Sequence, residues 1–369
     1  MSESPELPPN RPLPLVPPFA TDDLPGTGGA IGPEPEDFQV DEIPLYAFSG
    51  EGEHLFVRVK KRRMTTRDAV LAIARAAGVP PGEVGSAGMK DKHAVTTQWL
   101  SLPARRAGAV ESWRLPDGLE VLEVSRHTNK LRTGHLEANT FRIRLAGVAA
   151  DAEISAARIV ARLRERGLPN YFGAQRFGRD GGNLAAALEW LAAEARGQRT
   201  RLPPFERKLF ASVVQAEVFN RYVTARVERG LERPLQGEVV RLEGTGSMFA
   251  VEDPEREAPR WKSNDIHPTG PMIGPKMRKA HSEALALEER AVGSVGLDEG
   301  ALGELGRHAD GTRRDVLVSL PDLRAEMEAD GASDGTTNAM VISFTLPSGS
   351  YATEVVREFS REPFFRYSA

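Results

Sequence analysis

The segment of this 369-residue chain best suited to chemistry is Gly88-Met89-Lys90-Asp91-Lys92-His93-Ala94-Val95-Thr96-Thr97-Gln98, which sets an aspartate between two lysines. Flanking ammonium groups keep Asp91 ionised at neutral pH, and an ionised carboxylate can attack an electron-poor carbon or take up a proton. The residues alone leave both roles open, beside the plainer one of a surface acid paired to Lys90 or Lys92. The chain has no cysteine, which excludes disulfides, a thiolate zinc site and a thiol nucleophile. Its seven histidines are scattered, with no H-E-x-x-H, so no metal site is expected and cofactor-free chemistry is favoured. Gly26-Thr27-Gly28-Gly29 is expected to be a tight turn, because Ile31 stands where a dinucleotide loop needs its third glycine.

The elements that must position Asp91 follow from periodicity. From His54, Leu55, Val57 and Val59 alternate with Phe56, Arg58 and Lys60, the pattern of a half-buried strand with a basic outer face. Thr65-Thr66-Arg67-Asp68 reads as a capping box opening a helix through Ala77, stopped by Gly78 and by Pro80 and Pro81. The Asp91 loop comes next, held between strand and helix. Phe141, Ile143 and Leu145 mark another strand, and Ile154 to Leu163 a helix ended by Gly167. From 165 to 312 the chain is mostly helical, interrupted by a Gly/Pro-rich passage from Ile266 to Pro275. Strand character returns at Met340 to Leu346, and Tyr351 to Phe359 reads as a last helix.

Composition is that of a globular protein, 40% hydrophobic and 27% charged, with a length that suits two domains. No apolar run approaches the roughly 20 residues of a membrane helix, and the start lacks signal-peptide character, so a cytoplasmic protein is expected. Residues 1–24, rich in proline and polar groups, are expected to form a flexible tail. The net charge of -4 argues mildly against a nucleic-acid binder. Two basic stretches point the other way: Arg58 to Arg67, and Arg126, Lys130, Arg132, Arg142 and Arg144.

Five blocks in order carry a family resemblance. They are Pro35-Glu36-Asp37-Phe38-Gln39-Val40-Asp41-Glu42, the Asp91 segment, Lys130-Leu131-Arg132-Thr133-Gly134-His135-Leu136-Glu137-Ala138-Asn139-Thr140-Phe141, Pro169 to Gly178, and Leu346-Pro347-Ser348-Gly349-Ser350-Tyr351-Ala352-Thr353. Together they resemble the TruD family of tRNA pseudouridine synthases. Two positions depart from the pattern: Ala138 replaces a glycine, and Gly32 stands where relatives often carry a basic residue.

The resemblance implies an α+β fold, in which a pseudouridine-synthase catalytic domain built on a mixed, mostly antiparallel sheet is interrupted by an inserted helix-rich α+β domain. The catalytic domain would span 25–164 and 313–369, and the insertion 165–312. It implies isomerisation of uridine 13 of tRNA with Asp91 essential, no cofactor, tRNA as partner and no membrane; a monomer is expected. Phe141 would stack on the target base, the Asn139 amide would meet the uracil edge or ribose, and Phe38 and Tyr351 would line the pocket. Lys90, Lys92, Lys130 and Arg132 are candidate phosphate or charge partners, and Arg357 a candidate ion-pair partner of Asp91. Competing readings are a non-catalytic RNA-binding protein or RNA chaperone of the same fold, and a uridine-directed glycosidase that cleaves without rejoining.

Overall fold

The structure, a computed structural model, describes residues 13–198, 200–328 and 338–361. The expected tail at 1–12, and 329–337 and 362–369 of the expected catalytic segment, lie outside them.

In chain order the elements are β1 (Gly28–Ile31), β2 (Phe38–Pro44), β3 (His54–Arg62), α1 (Thr66–Ala77), β4 (Gly85–Ser86), β5 (Val95–Pro103), β6 (Leu119–His127), β7 (Leu136–Val148), α2 (Ala152–Arg166) and β8 (Leu168–Pro169). There follow α3 (Gly182–Ala195), α4 (Pro204–Glu228), β9 (Val239–Leu242), β10 (Met248–Ala250), α5 (Pro254–Lys262), β11 (Ile266–Met272), α6 (Ser282–Val295) and α7 (Glu299–His308). The chain closes with β12 (Thr312–Asp315), β13 (Leu317–Val318), β14 (Arg324–Met327), β15 (Ala339–Pro347) and α8 (Ala352–Ser360).

The large sheet runs β14-β15-β7-β2-β5-β3-β6, with β1 beside β7 and β4 beside β5. Its pairs are antiparallel except β2 with β5. The sheet is therefore mixed and mostly antiparallel, in an α+β fold. Alternation decides which side chains face inward. Leu55, Val57 and Val59 of β3 share a core with Ala69, Ile73 and Ala74 of α1, while Ile143 and Leu145 of β7 pack with α2 and α8. Two helical layers thus cover the two halves of the sheet. The capping box at α1 forms as its sequence implies, with Thr65 accepting from Asp68 N–H and Gly78 ending the helix at φ 68°.

Residues from Tyr171 to Val316 build a separate core in which α3, α4, α6 and α7 pack on a four-stranded sheet ordered β10-β9-β11-β12. The Gly/Pro-rich passage from Ile266 is strand β11 of that sheet, not an interruption between helices. Proline and glycine hid it because they weaken the strand pattern. The structure gives the glycine a reason: a Cβ at Gly270 would stand 2.8 Å from the rings of Phe219 and Tyr222, so a bare backbone lets β11 lie on α4. The chain passes between the two cores at a neck, where Leu168–Pro169 pair antiparallel with Leu317–Val318.

Residues 13–24 correct the expectation of a flexible tail. Leu15 N–H donates to buried Glu217 of α4, and Ala20 N–H and Thr21 N–H and hydroxyl donate to Glu358 of α8 at 2.6–3.1 Å. Arg357 donates to Pro17 O, and its guanidinium and that of Arg361 lie over the Phe19 ring at 4.3 and 4.4 Å. Composition underestimated this segment because its partners are charges supplied by helices more than 190 residues away in sequence. Removing the Glu358 acceptor strands these three donors and breaks its pair with Arg361. We expect Glu358→Ala to cost about 2–4 kcal/mol in urea unfolding.

Candidate active site

Cross-strand register builds the floor of the site. Lys61 of β3, Thr96 of β5, Val40 of β2, Phe141 of β7 and Phe344 of β15 are successive partners across five strands, so their side chains share a face. Glu42, Asn139 and Leu346 form the adjoining row. The Asp91 loop lies over this face, because buried Lys61 donates its ammonium to Asp91 O and to Met64 O at 2.6 Å each. The loop is pinned by polar side chains around it. The Thr66 hydroxyl accepts from Lys90 N–H (2.8 Å) and donates to Gln98 (2.9 Å), joining α1, the loop and β5. The Asp91 carboxylate is exposed, with Oδ1 accepting from His93 N–H at 2.8 Å.

Burial depresses the Lys61 ammonium from its ordinary 10.5 to about 8, the negative charge of Asp91 opposes this, and Lys90 adds to it. Lys61 is thus a charged group held below Asp91 by two carbonyls and the carboxylate charges of Asp91 and Asp68. It was counted in the basic stretch at Arg58 to Arg67 and given no role. The signal was present: Lys61 continues the inward phase of Leu55, Val57 and Val59.

Lys90 is buried, with its side chain 5% exposed, and bridges Glu42 at 2.5 Å, so it does not offer its charge to phosphate as expected. Glu42 also accepts from Trp99 N–H at 3.1 Å. This pair ties the Asp91 loop to β2 beside Asn139. Stripping one charge from a buried pair costs about 3–5 kcal/mol, and Glu42→Gln is expected to lower stability by that order in a thermal or urea melt. Lys92 is exposed and available to solvent or phosphate.

Phe38 and Phe141 meet edge to face at 6.2 Å, and Phe141 stacks on Phe344 at 5.3 Å. Phe141 is 8% exposed, so one ring face belongs to the core and little is left for a base. The Asn139 Oδ1 atom is buried and has no hydrogen-bond partner among the described residues. Tyr351 precedes α8 and packs on Phe172 at 5.9 Å, at the neck. There Arg314 lies 4.2 Å over the Phe172 ring and donates to Asn170, which also accepts from the Ser350 hydroxyl. Burial lowers Arg314 to about 10.

Two expectations are corrected here. Arg357 is buried and paired with Glu354 at 3.1 Å, beside Pro17 and Phe19; its charge is used there and not at Asp91. The basic stretch on β3 is matched by acids: Arg58 with Asp41 and Glu123, Lys60 with Glu120, Arg62 with Glu36, and Arg63 with Glu34. Sequence distance concealed these partners. Lys130 and Arg132 stand on the segment before β7, around a separate hollow with Tyr46. At Gly32 a Cβ would stand 2.1 Å from the Asp37 carboxylate.

The family model for tRNA pseudouridine synthase D (TruD) matches residues 18–187 and 186–359. The chain belongs to the TruD family. Among TruD relatives, the tRNA pseudouridine synthase D of Anaeromyxobacter sp. strain Fw109-5 is 44% identical over 348 residues, 93% of this chain and 96% of the relative. That of Thermus thermophilus is 40% identical over 345 residues, 92% and 91% of the two chains. A crystal structure of a putative TruD from Methanosarcina mazei superposes with a TM-score of 0.76 at 24% identity, covering 93% of this chain and 96% of that one. That last likeness concerns the fold.

Proposed function

We propose that this chain converts uridine 13 of tRNA to pseudouridine, with Asp91 as the essential nucleophile or base and with no cofactor. The observation that carries the reading is an exposed carboxylate fixed over the central strands of the sheet, above a buried ammonium, in a chain of the TruD family. Pseudouridine formation breaks the N1 to C1' bond, turns the freed uracil and rejoins it through C5, so no redox change or added atom is needed. Asp91 attacks C1', or takes a ribose C2' proton to give a glycal; either route needs an ionised carboxylate beside the sugar.

The base must leave its stack, at about a few kcal/mol, recovered by contacts in the pocket. The Asn139 amide meets the uracil edge or ribose, Phe38 and Phe141 form the floor, and Tyr351 bounds the side toward the neck. Lys92 takes phosphate. Catalysis falls to 25–164 and 313–369, with RNA held in a cleft between that domain and the insertion at 165–312, in a cytoplasmic monomer. No described helix is long and apolar enough to cross a membrane.

The test is tritium release from tRNA carrying uridine labelled at C5, followed by mapping of the modified position. Release with pseudouridine at position 13 supports the proposal, pseudouridine elsewhere removes its position, and free uracil without pseudouridine replaces it with a glycosidase. RNA binding without release would favour a non-catalytic RNA-binding protein.

A further inference from the structure

Tyr46, His127, Asn129, Lys130, Arg132 and His135 line a hollow of about 350 Å³, toward the small end of volumes that enclose ligands, about 300–1,000 Å³. The Tyr46 ring stacks on the His127 imidazole with centroids 4.9 Å apart and planes at 24°, and meets His135 edge-on at 5.8 Å. Its hydroxyl lies 3.0 Å from His135 Nδ1. Beneath, Phe48 packs on Phe56 and Trp99 at 4.5 Å each, so the aromatic wall rests on a closed apolar cluster. Burial pushes the Tyr46 phenol above its ordinary value, which keeps it neutral.

The charge around this hollow differs from that of β3. None of the six lining residues is acidic. Arg132 is exposed and has no ion-pair partner among the described residues, while Lys130 commits one N–H to Gly82 O at 2.9 Å and keeps two. A planar aromatic wall beside two cations with N–H donors to spare is the chemistry that holds single-stranded RNA, base by stacking and phosphate by charge.

The chain links the hollow to the segment that carries Asp91. Gly134, at φ 89°, donates its N–H to Ala87 O at 2.8 Å, and Ala87 is the residue before the Gly88 to Gln98 segment. His135 precedes Asn139 by four residues, about 13 Å along an extended chain. His127 and the Phe56 and Trp99 beneath the aromatic wall alternate with Lys61 and Thr96, so the hollow lies on the face of the sheet opposite the Asp91 loop.

We propose that this hollow is a second RNA subsite that takes one unpaired nucleotide of the same RNA, away from the target uridine, with its base against Tyr46 and His127 and its phosphate on Lys130 and Arg132. The proposal rests on tRNA being the substrate, and its test reads RNA binding directly so that the two can fail separately. Equilibrium binding of full-length substrate tRNA is measured across a salt series for the wild type, Arg132→Glu, Tyr46→Ala and Tyr46→Phe.

Arg132→Glu, at an exposed position, is expected to weaken binding at least about tenfold and to lower the salt slope by about one or more. Tyr46→Ala is expected to weaken it about tenfold, and Tyr46→Phe to restore most of that because the ring remains. Photo-crosslinking of tRNA bearing 4-thiouridine should place a nucleotide on the Tyr46 or His127 peptide. Binding within twofold of wild type for both Arg132→Glu and Tyr46→Ala, or cross-links to other peptides alone, would overturn the subsite. Binding at the hollow without tritium release would instead sink the proposed reaction and leave the subsite standing.

Discussion

Asp91→Asn should lower tritium release at least about 10³-fold while tRNA affinity stays within about threefold. Asparagine keeps an oxygen for the His93 N–H, which the aspartate receives at 2.8 Å, and it leaves the main-chain carbonyl that Lys61 holds untouched. Loop geometry therefore survives and only the anion is lost. An amide neither attacks C1' nor takes a proton at neutral pH, and groups acting at the reacting atoms contribute effects of this order or larger. The measurement is single-turnover tritium release beside equilibrium binding of the same tRNA. Release within tenfold of wild type would remove Asp91 from the chemistry. An equal collapse of binding would recast it as a structural or RNA-contacting residue.

Lys61 should produce the second largest effect, and one with a pH signature. Its folded pKa of about 8 lies below the ordinary 10.5, so protonation is disfavoured in the folded chain. Below about pH 8 the ammonium is present under the Asp91 loop; as pH rises through 8 it deprotonates and the loop loses a charged anchor. Activity is expected to fall along an alkaline limb centred there. Folding stability moves the opposite way: between about 8 and 10.5 the unfolded chain binds the extra proton, so this group's contribution grows more favourable with rising pH.

Lys61→Met should lose activity about 100-fold and show no alkaline limb, since it strands the Asp91 and Met64 carbonyls and has no proton to lose. A pH–rate profile of single-turnover tritium release over about pH 6.5 to 9 reads this. A limb that persists in Lys61→Met would assign it to another group. A urea or thermal melt of the variant reads structural damage separately, and loss of the limb in a variant that remains folded supports the positioning role.

The strength of local patterns explains what could be read early. Strand β3, the capped helix α1, β7 and β15 each carry a largely regular period of two or 3.6, so local backbone preferences and burial mostly agree, whereas α8 carries the helical period yet has its charged face buried too. The insertion's sheet failed that standard. Its central strand, His267-Pro268-Thr269-Gly270-Pro271, is built of residues that signal turns and becomes a strand because α4 requires a bare backbone against it. Residues 13–24 failed it in the same sense, since nothing local orders them.

The sequence by itself singled out Asp91 as the candidate reactive group and determined its local frame, because Asp91, its flanking lysines and the preceding strand and helix lie within about 40 residues and obey short-range rules. Only the tertiary structure decided how charges pair. Lys61 turned inward to meet the Asp91 loop, Lys90 found Glu42, Arg357 found Glu354 and the segment at Pro17, and the cations of β3 met acids on β2, β6 and the turn before β2. Coulomb attraction depends on distance in space, and the sheet brings together residues dozens to hundreds apart along the chain. The cations left over, Arg132 and Lys130 beside Tyr46, become visible only after that pairing is known.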